Sequence, residues 1–393
     1  MRAFLGVDLG STTTKAVLLD EKGGILGRGL TNTRANFETA CAVARAEALA
    51  DARFGLLAEP ARSGARRAYH RAERGRRLEH LRARTLLLAD DDARLQVAAS
   101  RLFEALAKLA SAEDGAVSFR DAVAEAAATA AEAVATAAGV PYERLMSALE
   151  RALVADEADP TALDPDAVLD EIGVPAGERV PVDVAAQSGT GYGRHRLPFA
   201  PGEIRSEILC HGLGASHAFP GTRTVLDIGG QDTKAIQLDE RGLVTSFQMN
   251  DRCAAGCGRY LGYVAEELGV GLPDLAPLAL SAHCPSRINS TCTVFAGAEI
   301  RERLALGERR EDVVAGLHRA IVLRALGLLA RAGGVHSPLT FSGGVARNEA
   351  VVRSLRDELS RHYRDVAVNV STDSIFNGAV GAALFALRET AAC

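Results

Sequence analysis

The chain has 393 residues, of which 48% are hydrophobic, so it is long enough to build two compact domains. Its formal net charge of -5 gives neither the basic field of a nucleic-acid-binding protein nor the acidic excess of a disordered chain. Seven cysteines without a recognisable signal peptide are typical of a reduced, cytoplasmic protein. No segment reaches 18 uninterrupted apolar residues, so we expect no membrane span.

The chain begins with an apolar run that leads into the phrase DLGSTTTK, from Asp8 to Lys15. A second apolar run, KAVLLD, follows directly, and together they predict a β-hairpin with small hydroxyl residues at its tip. Glycine lets backbone N–H groups approach an anion, the hydroxyl groups add donors, and lysine adds a charge suited to phosphate. The leading aspartate would face a phosphate-bound Mg²⁺, directly or through water.

From about Phe37 to Glu178 the composition shifts to Ala, Arg and Leu with helical periodicity, which indicates an insertion in the first domain. Nine arginines lie between Arg62 and Arg84, against only two acidic residues. One interpretation is a solvated helix face. The other is a docking patch for an acidic partner, such as a ferredoxin or a neighbouring subunit. Nucleic acid is poorly supported, because Tyr69 is the single aromatic residue in this stretch.

After the insertion, RVPVDVAAQSGTGYGR predicts a strand followed by a glycine-rich turn, and EIRSEILCHGLGASHAF predicts a helix that leads into the second half. His211 and His217 lie on this helix. We interpret both as structural histidines and not as ligands.

The phrase DIGGQDTK, from Asp227 to Lys234, then repeats the first phrase. The ungapped match spans sixteen positions, 219 residues apart, and pairs Asp8 with Asp227 and Lys15 with Lys234. A matched pair of such hairpins favours two domains of common ancestry with a shared phosphate site. A GxxxxGK[ST] segment is absent from the sequence, so the protein is not a P-loop ATPase.

Two cysteines, Cys253 and Cys292, each stand at the start of a predicted helix. Helix N-termini stabilise thiolates, and two subunits that each gave such a pair would supply the four ligands an iron–sulfur cluster usually takes. A rival site within one chain is also possible. Cys257 lies four residues after Cys253, on the same face if both are helical, and Cys284 and Cys292 could complete four ligands.

Further on, PLTFSGGVARNEAVVRSLRDEL predicts a strand, a turn at Gly343–Gly344 and a helix. The segments REDVVAGLHRAIVLRALGLLARAG and SIFNGAVGAALFALRET show apolar residues at helical spacing, which predicts two core helices.

The paired hairpins resemble the two phosphate loops of the actin, Hsp70 and sugar-kinase superfamily, and the Gly343–Gly344 segment resembles its adenosine loop. The resemblance implies an α/β, two-domain actin/Hsp70/sugar-kinase-like ATPase fold with a helical insertion in the first domain. The implied division of the chain is residues 1–36 and 179–205 for the first domain, 37–178 for the insertion, 206–222 for a connecting helix, 223–375 for the second domain and 376–393 for a C-terminal helix.

Seven segments, among them GVDLGSTTTK, DIGGQDTK, NDRCAAGCGRYLG and INSTCTVFAGAE, closely resemble the BadF/BadG/BcrA/BcrD family, in family order across about two-thirds of the chain. This family contains activator ATPases of 2-hydroxyacyl-CoA dehydratases and ATPase subunits of benzoyl-CoA reductase. The resemblance implies that Cys253 and Cys292 hold a [4Fe-4S] cluster shared with a partner subunit. Cys257 and the insertion further resemble the alpha-type subunit of benzoyl-CoA reductase.

The resemblance also implies a nucleotide site for ATP or ADP with Mg²⁺. Asp8 and Asp227 would hold the Mg²⁺ and its waters, and Gln231 and Asp232 would orient the attacking water. The residues expected to contact the nucleotide are Gly10, Ser11, Thr12, Thr13, Lys15, Gly229, Gly230, Thr233, Lys234, Gly343, Gly344 and Asn348.

The implied function is ATP-driven electron transfer from reduced ferredoxin to acyl-CoA reductase subunits, most closely those of a dearomatising benzoyl-CoA reductase. The partner across the cluster would be an identical chain or a homologous ATPase subunit; neither nucleic acid nor a membrane is expected. Two alternatives remain: a homodimeric activator of a 2-hydroxyacyl-CoA dehydratase, and a sugar or small-molecule kinase of the same fold.

Overall fold

The computed structural model describes residues 1–33, 36–89, 92–111, 119–154, 163–250, 257–289 and 293–392. Contacts divide the chain into two compact units, one formed by residues 1–48 and 183–393 and the other by residues 49–182. The boundary falls inside a helix that begins at Phe37, where the insertion was expected to begin. The first twelve residues of this helix therefore belong to the first unit.

The first sheet of the first unit has the strand order β3-β2-β1-β4. Its strands are β1 Arg2–Leu9, β2 Thr13–Leu19, β3 Ile25–Asn32 and β4 Asp183–Thr190. The β1–β2 and β2–β3 pairs are antiparallel, and β4 lies parallel to β1 on its other side. The predicted N-terminal hairpin and the strand before the glycine-rich turn are both confirmed.

The second sheet repeats this arrangement and adds one strand, with the order β7-β6-β5-β8-β9. Its strands are β5 Thr224–Ile228, β6 Thr233–Leu238, β7 Val244–Asn250, β8 Leu339–Ser342 and β9 Val368–Val370. Again two antiparallel pairs are followed by a parallel partner on the far side of the first strand. The sequence repeat is therefore a repeat of topology, as expected for two related domains.

Eight helices of the described chain accompany these sheets. They are α1 Phe37–Gly55, shared with the second unit, and α7 Glu207–Ala218, α8 Gly258–Leu268, α9 Leu275–Leu280, α10 Thr293–Ala305, α11 Arg310–Ala332, α12 Glu349–His362 and α13 Asn377–Ala392. The connecting helix, the C-terminal helix and the helix after the Gly343–Gly344 turn are confirmed as elements. The second sheet covers a large apolar core with α8, α9, α11 and α12.

Helix α11 is long and apolar enough to cross a bilayer. However, most of it is buried inside the protein, where it packs under the second sheet. A helix that is apolar on all sides is typical of a protein core. The helix was predicted to be a core helix, and its burial confirms this.

Helices α7 and α13 approach each other closely because glycines lie at their contacts. A Cβ atom on Gly214 would overlap the carbonyl oxygen of Asn377, and one on Gly381 would overlap the carbonyl oxygen of Cys210. On its other side α13 lies against β1, where a Cβ atom on Gly6 would overlap the carbonyl oxygen of Ala379. The apolar side chains of α7 reach both the core around α13 and a core of the second sheet, so α7 joins the two sheets.

The second unit is helical. Its helices, besides the end of α1, are α2 Ala61–Leu88, α3 Ala93–Leu106, α4 Phe119–Ala138, α5 Tyr142–Val154 and α6 Pro165–Glu171. One core joins the C-terminal half of α2 to α3, α4 and α5, and a second core joins its N-terminal half to α1 and α6. The helical periodicity of the insertion is confirmed.

The arginine-rich stretch lies on α2. Arg66 pairs with Asp51 at 2.9 Å, and Arg77 pairs with Glu73 at 3.7 Å. In the described part of this unit, the exposed Arg67 and Arg71 contact no carboxylate. These exposed charges fit both interpretations made from the sequence, and the partner of this surface stays a prediction.

Candidate functional site

The two repeated phrases form hairpins with the same register. Asp8 lies opposite Lys15 across β1 and β2, and Asp227 lies opposite Lys234 across β5 and β6. The lysine Nζ is 3.3 Å from a carboxylate oxygen in the first pair and 3.4 Å in the second. Both aspartates are 2% exposed. Each hairpin therefore buries an aspartate–lysine ion pair beside its tip.

The tips of the two hairpins lie against each other. A Cβ atom on Gly230 would overlap the hydroxyl group of Thr12, so only glycine fits at this close approach. Gly378, in the first turn of α13, lies close to the carboxylate of Asp8, because a Cβ atom there would lie 2.9 Å from Asp8 Oδ2. Residues of both phrases and the start of the C-terminal helix thus meet in one place.

Asp227 is held by side chains on three sides. Ser342 Oγ donates a hydrogen bond of 2.7 Å to its Oδ1, His211 Nδ1 lies 3.3 Å from the same oxygen, and Lys234 approaches Oδ2. Burial alone would raise the pKa of Asp227, but the charges of His211 and Lys234 and the hydrogen bonds outweigh it and hold the pKa far below its usual range. The carboxylate is therefore ionised and fixed in orientation.

Lys234 lies among carboxylates and not at the open tip of the hairpin. Its Nζ is 2.7 Å from Asp232 Oδ1 and 2.9 Å from Glu207 Oε1, in addition to Asp227. Burial would lower the pKa of Lys234, but these three acids raise it well above its ordinary value. Both residues of the Asp232–Lys234 pair were predicted to face the nucleotide, as water-orienting and phosphate-binding residues respectively. Here each contacts the other, and their roles toward a nucleotide stay predictions.

Two residues of this cluster, Glu207 and His211, were not identified from the sequence as site residues. They lie one turn apart on α7 and both point to the second hairpin; His211 Nε2 is 4.0 Å from Glu207 Oε1. Burial would lower the pKa of His211, but Asp227 outweighs it and the pKa is raised. His211 was interpreted as a structural histidine and not a ligand, and its contact with Asp227 was not expected from the sequence. His217, by contrast, contacts the carbonyl oxygen of Gly23 at 3.1 Å, as a structural histidine does.

The cluster contains more carboxylates than cationic groups, so carboxylate oxygens are available as metal ligands. Its carboxylates are Asp8, Glu207, Asp227 and Asp232, and its cationic groups are Lys15, Lys234 and His211. Oxygen donors with net negative charge fit Mg²⁺, which keeps several waters and shares its coordination with nucleotide phosphates. Within the described ranges, no group of three or more His, Cys, Asp or Glu side chains could hold a metal ion alone. A Mg²⁺ bound with its nucleotide is compatible with that finding.

Other predicted phosphate-contact residues surround this cluster. Gly10 and Ser11 are half-buried at the first tip and Thr12 is exposed, while Thr13 begins β2. Gly229 and Gln231 are half-buried at the second tip, and Thr233 begins β6 with its hydroxyl 3.6 Å from Cys257 Sγ. The structure thus brings both sets of tip residues together, as the repeat predicts.

The predicted adenosine loop is a short helical turn between β8 and α12. Gly343 has a positive φ of 88° and would overlap the backbone of Ile228 if it carried a Cβ atom, so glycine is required there. Gly344 begins the turn, and Asn348 caps α12 by accepting a hydrogen bond from Val351 N. The amide nitrogen of Asn348 also contacts His318 Nε2 at 3.1 Å. Asn348 therefore has a structural role, whatever it does toward a nucleotide.

The glycine-rich turn after β4 packs beside Asp8. Gly191 has a positive φ of 99°, and a Cβ atom on it would lie 2.5 Å from Asp8 Oδ1. Gly193 donates its backbone N–H to the carbonyl oxygen of Leu9 at 2.9 Å. The turn thus closes one side of the first hairpin aspartate.

Both predicted cluster ligands, Cys253 and Cys292, lie outside the described residues. The helix expected to start at Cys253 starts instead at Gly258, and Cys257 before it is extended, with φ -111° and ψ 171°. The premise of the rival site, that Cys253 and Cys257 share a helical face, is therefore wrong at Cys257. Burial raises the pKa of the Cys257 thiol to about 11, which disfavours the thiolate that a metal would need. Cys284 is exposed.

These features define an α/β ATPase of the actin/Hsp70/sugar-kinase fold, with duplicated aspartate hairpins around a buried charged cluster and a helical insertion in the first domain. Residues 5–386 match the model of the BadF/BadG/BcrA/BcrD ATPase family, so the chain belongs to this family and binds ATP or ADP. The predicted family membership and fold class are both confirmed.

Relatives in this family include activators and a component of a reductase. The chain is 43% identical over 209 residues, 53% of its length and 78% of the relative, to the (R)-2-hydroxyglutaryl-CoA dehydratase activating ATPase of Acidaminococcus fermentans. It is 40% identical over 200 residues, 51% of its length and 73% of the relative, to the 2-hydroxyisocaproyl-CoA dehydratase activator of Clostridioides difficile. To a benzoyl-CoA reductase subunit of Thauera aromatica it is 31% identical over 218 residues, 56% of its length and 75% of the relative.

Among solved structures, component A of the Acidaminococcus fermentans (R)-2-hydroxyglutaryl-CoA dehydratase superposes with a TM-score of 0.61 and 25% identity, covering 100% of both chains. The Clostridium difficile 2-hydroxyisocaproyl-CoA dehydratase activator with bound ADPNP superposes with a TM-score of 0.58 and 24% identity, covering 99% of this chain and 96% of the other. The second superposition shows a shared fold.

Proposed function

We propose that the protein is an ATP-hydrolysing activator that drives low-potential electron transfer to a partner acyl-CoA enzyme in the cytoplasm. The observation that carries the proposal is the meeting of two buried aspartate–lysine hairpins in one cluster, in a chain of this ATPase family. The hairpin tips, glycine-lined and close together, would surround the phosphates, and the cluster behind them would orient the hydrated Mg²⁺.

The residues of this chain suit phosphoryl transfer by positioning and electrostatics. Asp227 is fixed by three partners before any ligand arrives, so orienting it costs little when a Mg²⁺-bound nucleotide binds. Gln231, half-buried at the second tip, is the proposed residue that orients the attacking water. Mg²⁺, when bound, would neutralise charge on the phosphate oxygens.

For electron transfer, we propose that Cys253 and Cys292 hold a [4Fe-4S] cluster together with the matching pair of a second ATPase subunit. The cluster would supply a one-electron carrier of low potential. One feature of the described structure supports Cys292 as a ligand: α10 begins at Thr293, the next residue. Unsatisfied N–H groups at a helix N-terminus favour a thiolate or an anionic cluster.

For the partner, the favoured candidate is a 2-hydroxyacyl-CoA dehydratase, because relatives that are 40% and 43% identical activate such enzymes, whereas the benzoyl-CoA reductase relative is 31% identical. We therefore favour the activator of a 2-hydroxyacyl-CoA dehydratase over benzoyl-CoA reductase, which the sequence analysis had put first. The reductase remains a second candidate because of Cys257 and the insertion. In either case we propose reduced ferredoxin as the electron donor.

The test is anaerobic purification followed by three measurements: iron per chain, ATP hydrolysis, and activation of an added acyl-CoA enzyme by a reduced ferredoxin. We expect about two iron atoms per chain, which corresponds to one four-iron cluster per dimer, and ATP-dependent activation of a 2-hydroxyacyl-CoA dehydratase. Activation of a benzoyl-CoA reductase core alone would favour the second candidate. An iron-free chain that releases ADP only when a sugar is added would overturn the proposal in favour of a kinase.

A further inference from the structure

His211 lies where α7 meets the aspartates of both hairpins. Its Nδ1 is 3.3 Å from Asp227 Oδ1, and a Cβ atom on Gly378 would lie 2.9 Å from both His211 Nε2 and Asp8 Oδ2. The two imidazole nitrogens therefore face different groups. Nδ1 faces the aspartate of the second hairpin, while Nε2 borders the start of α13 and the aspartate of the first.

The contact with Asp227 is specific to one nitrogen. Nδ1 stands 3.3 Å from the Asp227 carboxylate, at ion-pair distance, and makes no hydrogen bond elsewhere in the described structure. The nearest carboxylate to Nε2 on its own helix is Glu207, at 4.0 Å. A buried polar nitrogen without a hydrogen-bond partner destabilises the folded state, so its presence beside Asp227 calls for an explanation.

His211 is one of three side chains that together hold the Asp227 carboxylate in place. Ser342 and His211 approach Oδ1 from β8 and α7, and Lys234 approaches Oδ2 from β6. Three separate elements thus determine the orientation of one side chain. Of the three, only His211 lies on the helix that joins the two sheets.

We propose that His211 is a positioning residue that orients Asp227, through Nδ1, for the divalent cation of the bound nucleotide. The inference rests on the proposed nucleotide function and assigns to His211 a role in the affinity of that cation. Partners of ligating carboxylates typically change metal affinity 10–100-fold when they are removed.

Two substitutions separate the nitrogens. His211→Asn keeps an amide nitrogen at the position of Nδ1, whereas His211→Gln places its amide near the position of Nε2 and leaves Asp227 without this partner. His217→Gln is a matched control, because His217 lies on the same helix but contacts only the backbone oxygen of Gly23 in the described chain.

The experiment titrates Mn²⁺ into each variant in the presence of ADP, with free Mn²⁺ followed by electron paramagnetic resonance, and measures the ADP affinity without metal. We expect His211→Gln to weaken Mn²⁺ binding about 10–100-fold, with little change in metal-free ADP affinity. His211→Asn should keep most of the Mn²⁺ affinity, and His217→Gln should keep all of it.

Equal weakening by the Asn and Gln variants, or no weakening by either, would overturn the role of Nδ1. A purely structural histidine would also lower metal-free ADP affinity and Mn²⁺ affinity together. If the wild-type chain binds neither ADP nor Mn²⁺, the proposed function itself fails, which is a result distinct from any difference among the variants.

Discussion

Asp8 and Asp227 occupy equivalent positions in the repeat, but their surroundings are not equivalent. Asp227 has three side-chain partners, whereas the ion pair of Asp8 in the described chain is with Lys15. Removing a carboxylate that several buried groups contact is more destabilising than removing one with fewer partners, because more buried groups lose a partner. The two copies of one motif therefore differ in how far they support the fold.

This difference predicts unequal costs of substitution. Asp227→Asn should lower the free energy of unfolding by about 3–5 kcal/mol, because it removes the buried charge that His211 and Lys234 share, although Lys234 keeps two other carboxylate partners. Asp8→Asn should cost clearly less, although both variants should lose most of the ATPase activity. Urea unfolding at neutral pH measures the difference, and equal costs would contradict the unequal roles.

The four described cysteines should differ in reactivity. Burial raises the pKa of Cys41 and Cys257 to about 11 and that of Cys210 to about 12, whereas Cys284 is exposed. Because the thiolate is the reactive form, we expect iodoacetamide at pH 8 to label Cys284 well before the other three. Peptide mapping by mass spectrometry tests this, and early labelling of Cys257 would contradict its burial.

The burial of Cys257 also affects what we expect of the iron site. Cys257 is buried, extended and protonated at neutral pH, so Cys257→Ser should leave the iron content of an anaerobic preparation unchanged. Cys292→Ser should remove the iron if the cluster is held as we propose. Iron loss in the Cys257 variant would revive the rival site within one chain.

At the level of residues, the sequence predicted the members of the charged cluster that lie in the repeated phrases, but not those that lie outside them. Matching the two phrases identified Asp8, Asp227 and their lysines, because a repeated spacing is visible in the sequence. Glu207 and His211 lie on a helix whose side chains meet the hairpin only after folding. The pattern of an acid four residues before a histidine is too common to indicate a site, so the pairing of Lys234 with Glu207 could not be predicted from the sequence.

At the scale of elements, the strands around the two phrases and the helices at 310–332 and 377–392 were predictable from periodicity and turn residues. The start of α8 was not. The sequence predicted a helix that starts at Cys253, but Cys257 is extended and α8 begins after it. The first N–H groups of α8 donate hydrogen bonds to the second hairpin tip, Gly258 to the carbonyl oxygen of Gly229 and Arg259 to that of Gly230, and a local sequence pattern does not show such tertiary contacts.

The close packing of α7 and α13 depends on glycine. Gly381→Ala should lower the free energy of unfolding by about 1–3 kcal/mol or more, because the new methyl group would overlap the backbone at Cys210. Gly327→Ala in α11 is the matched control: its Cβ atom would meet nothing within 4 Å, so it should stabilise by up to about 1 kcal/mol. Denaturant unfolding compares the two, and similar effects would contradict the packing argument.

At the scale of the whole molecule, two buried histidines should give the stability opposite pH dependences. The pKa of His211 is raised, so its contribution is complete below its unfolded pKa of about 6.5 and is lost as the pH rises through the folded value. Burial lowers the pKa of His318, so its contribution is complete above about pH 6.5 and is lost as the pH falls toward its folded value.

The corresponding test compares unfolding free energies at pH 5.5 and pH 8.5. The stability lost on replacing His211 by Gln should shrink toward the higher pH, and that lost on replacing His318 by Gln should shrink toward the lower pH. Parallel behaviour of both variants would contradict the opposite pKa directions.

The composition also indicated that the insertion is helical and where it approximately begins and ends. Helical spacing of Ala, Leu and Arg is a local property of the sequence, so it can be read without knowing the tertiary contacts. It did not indicate the limits of the compact unit, 49–182, since the start of α1 packs with the first unit. Leu30 N, for example, donates a hydrogen bond to Glu47 Oε2 on that part of α1.

The contact of α13 with the first strand sets the order in which the protein can mature. Residues 377–392 cover the face of a sheet whose strand Arg2–Leu9 is translated far earlier in the chain. The ribosome must therefore complete residues 377–392 before this face of the sheet is covered. During synthesis its apolar face needs another cover, and a nascent chain released before α13 would expose it to aggregation or to chaperones.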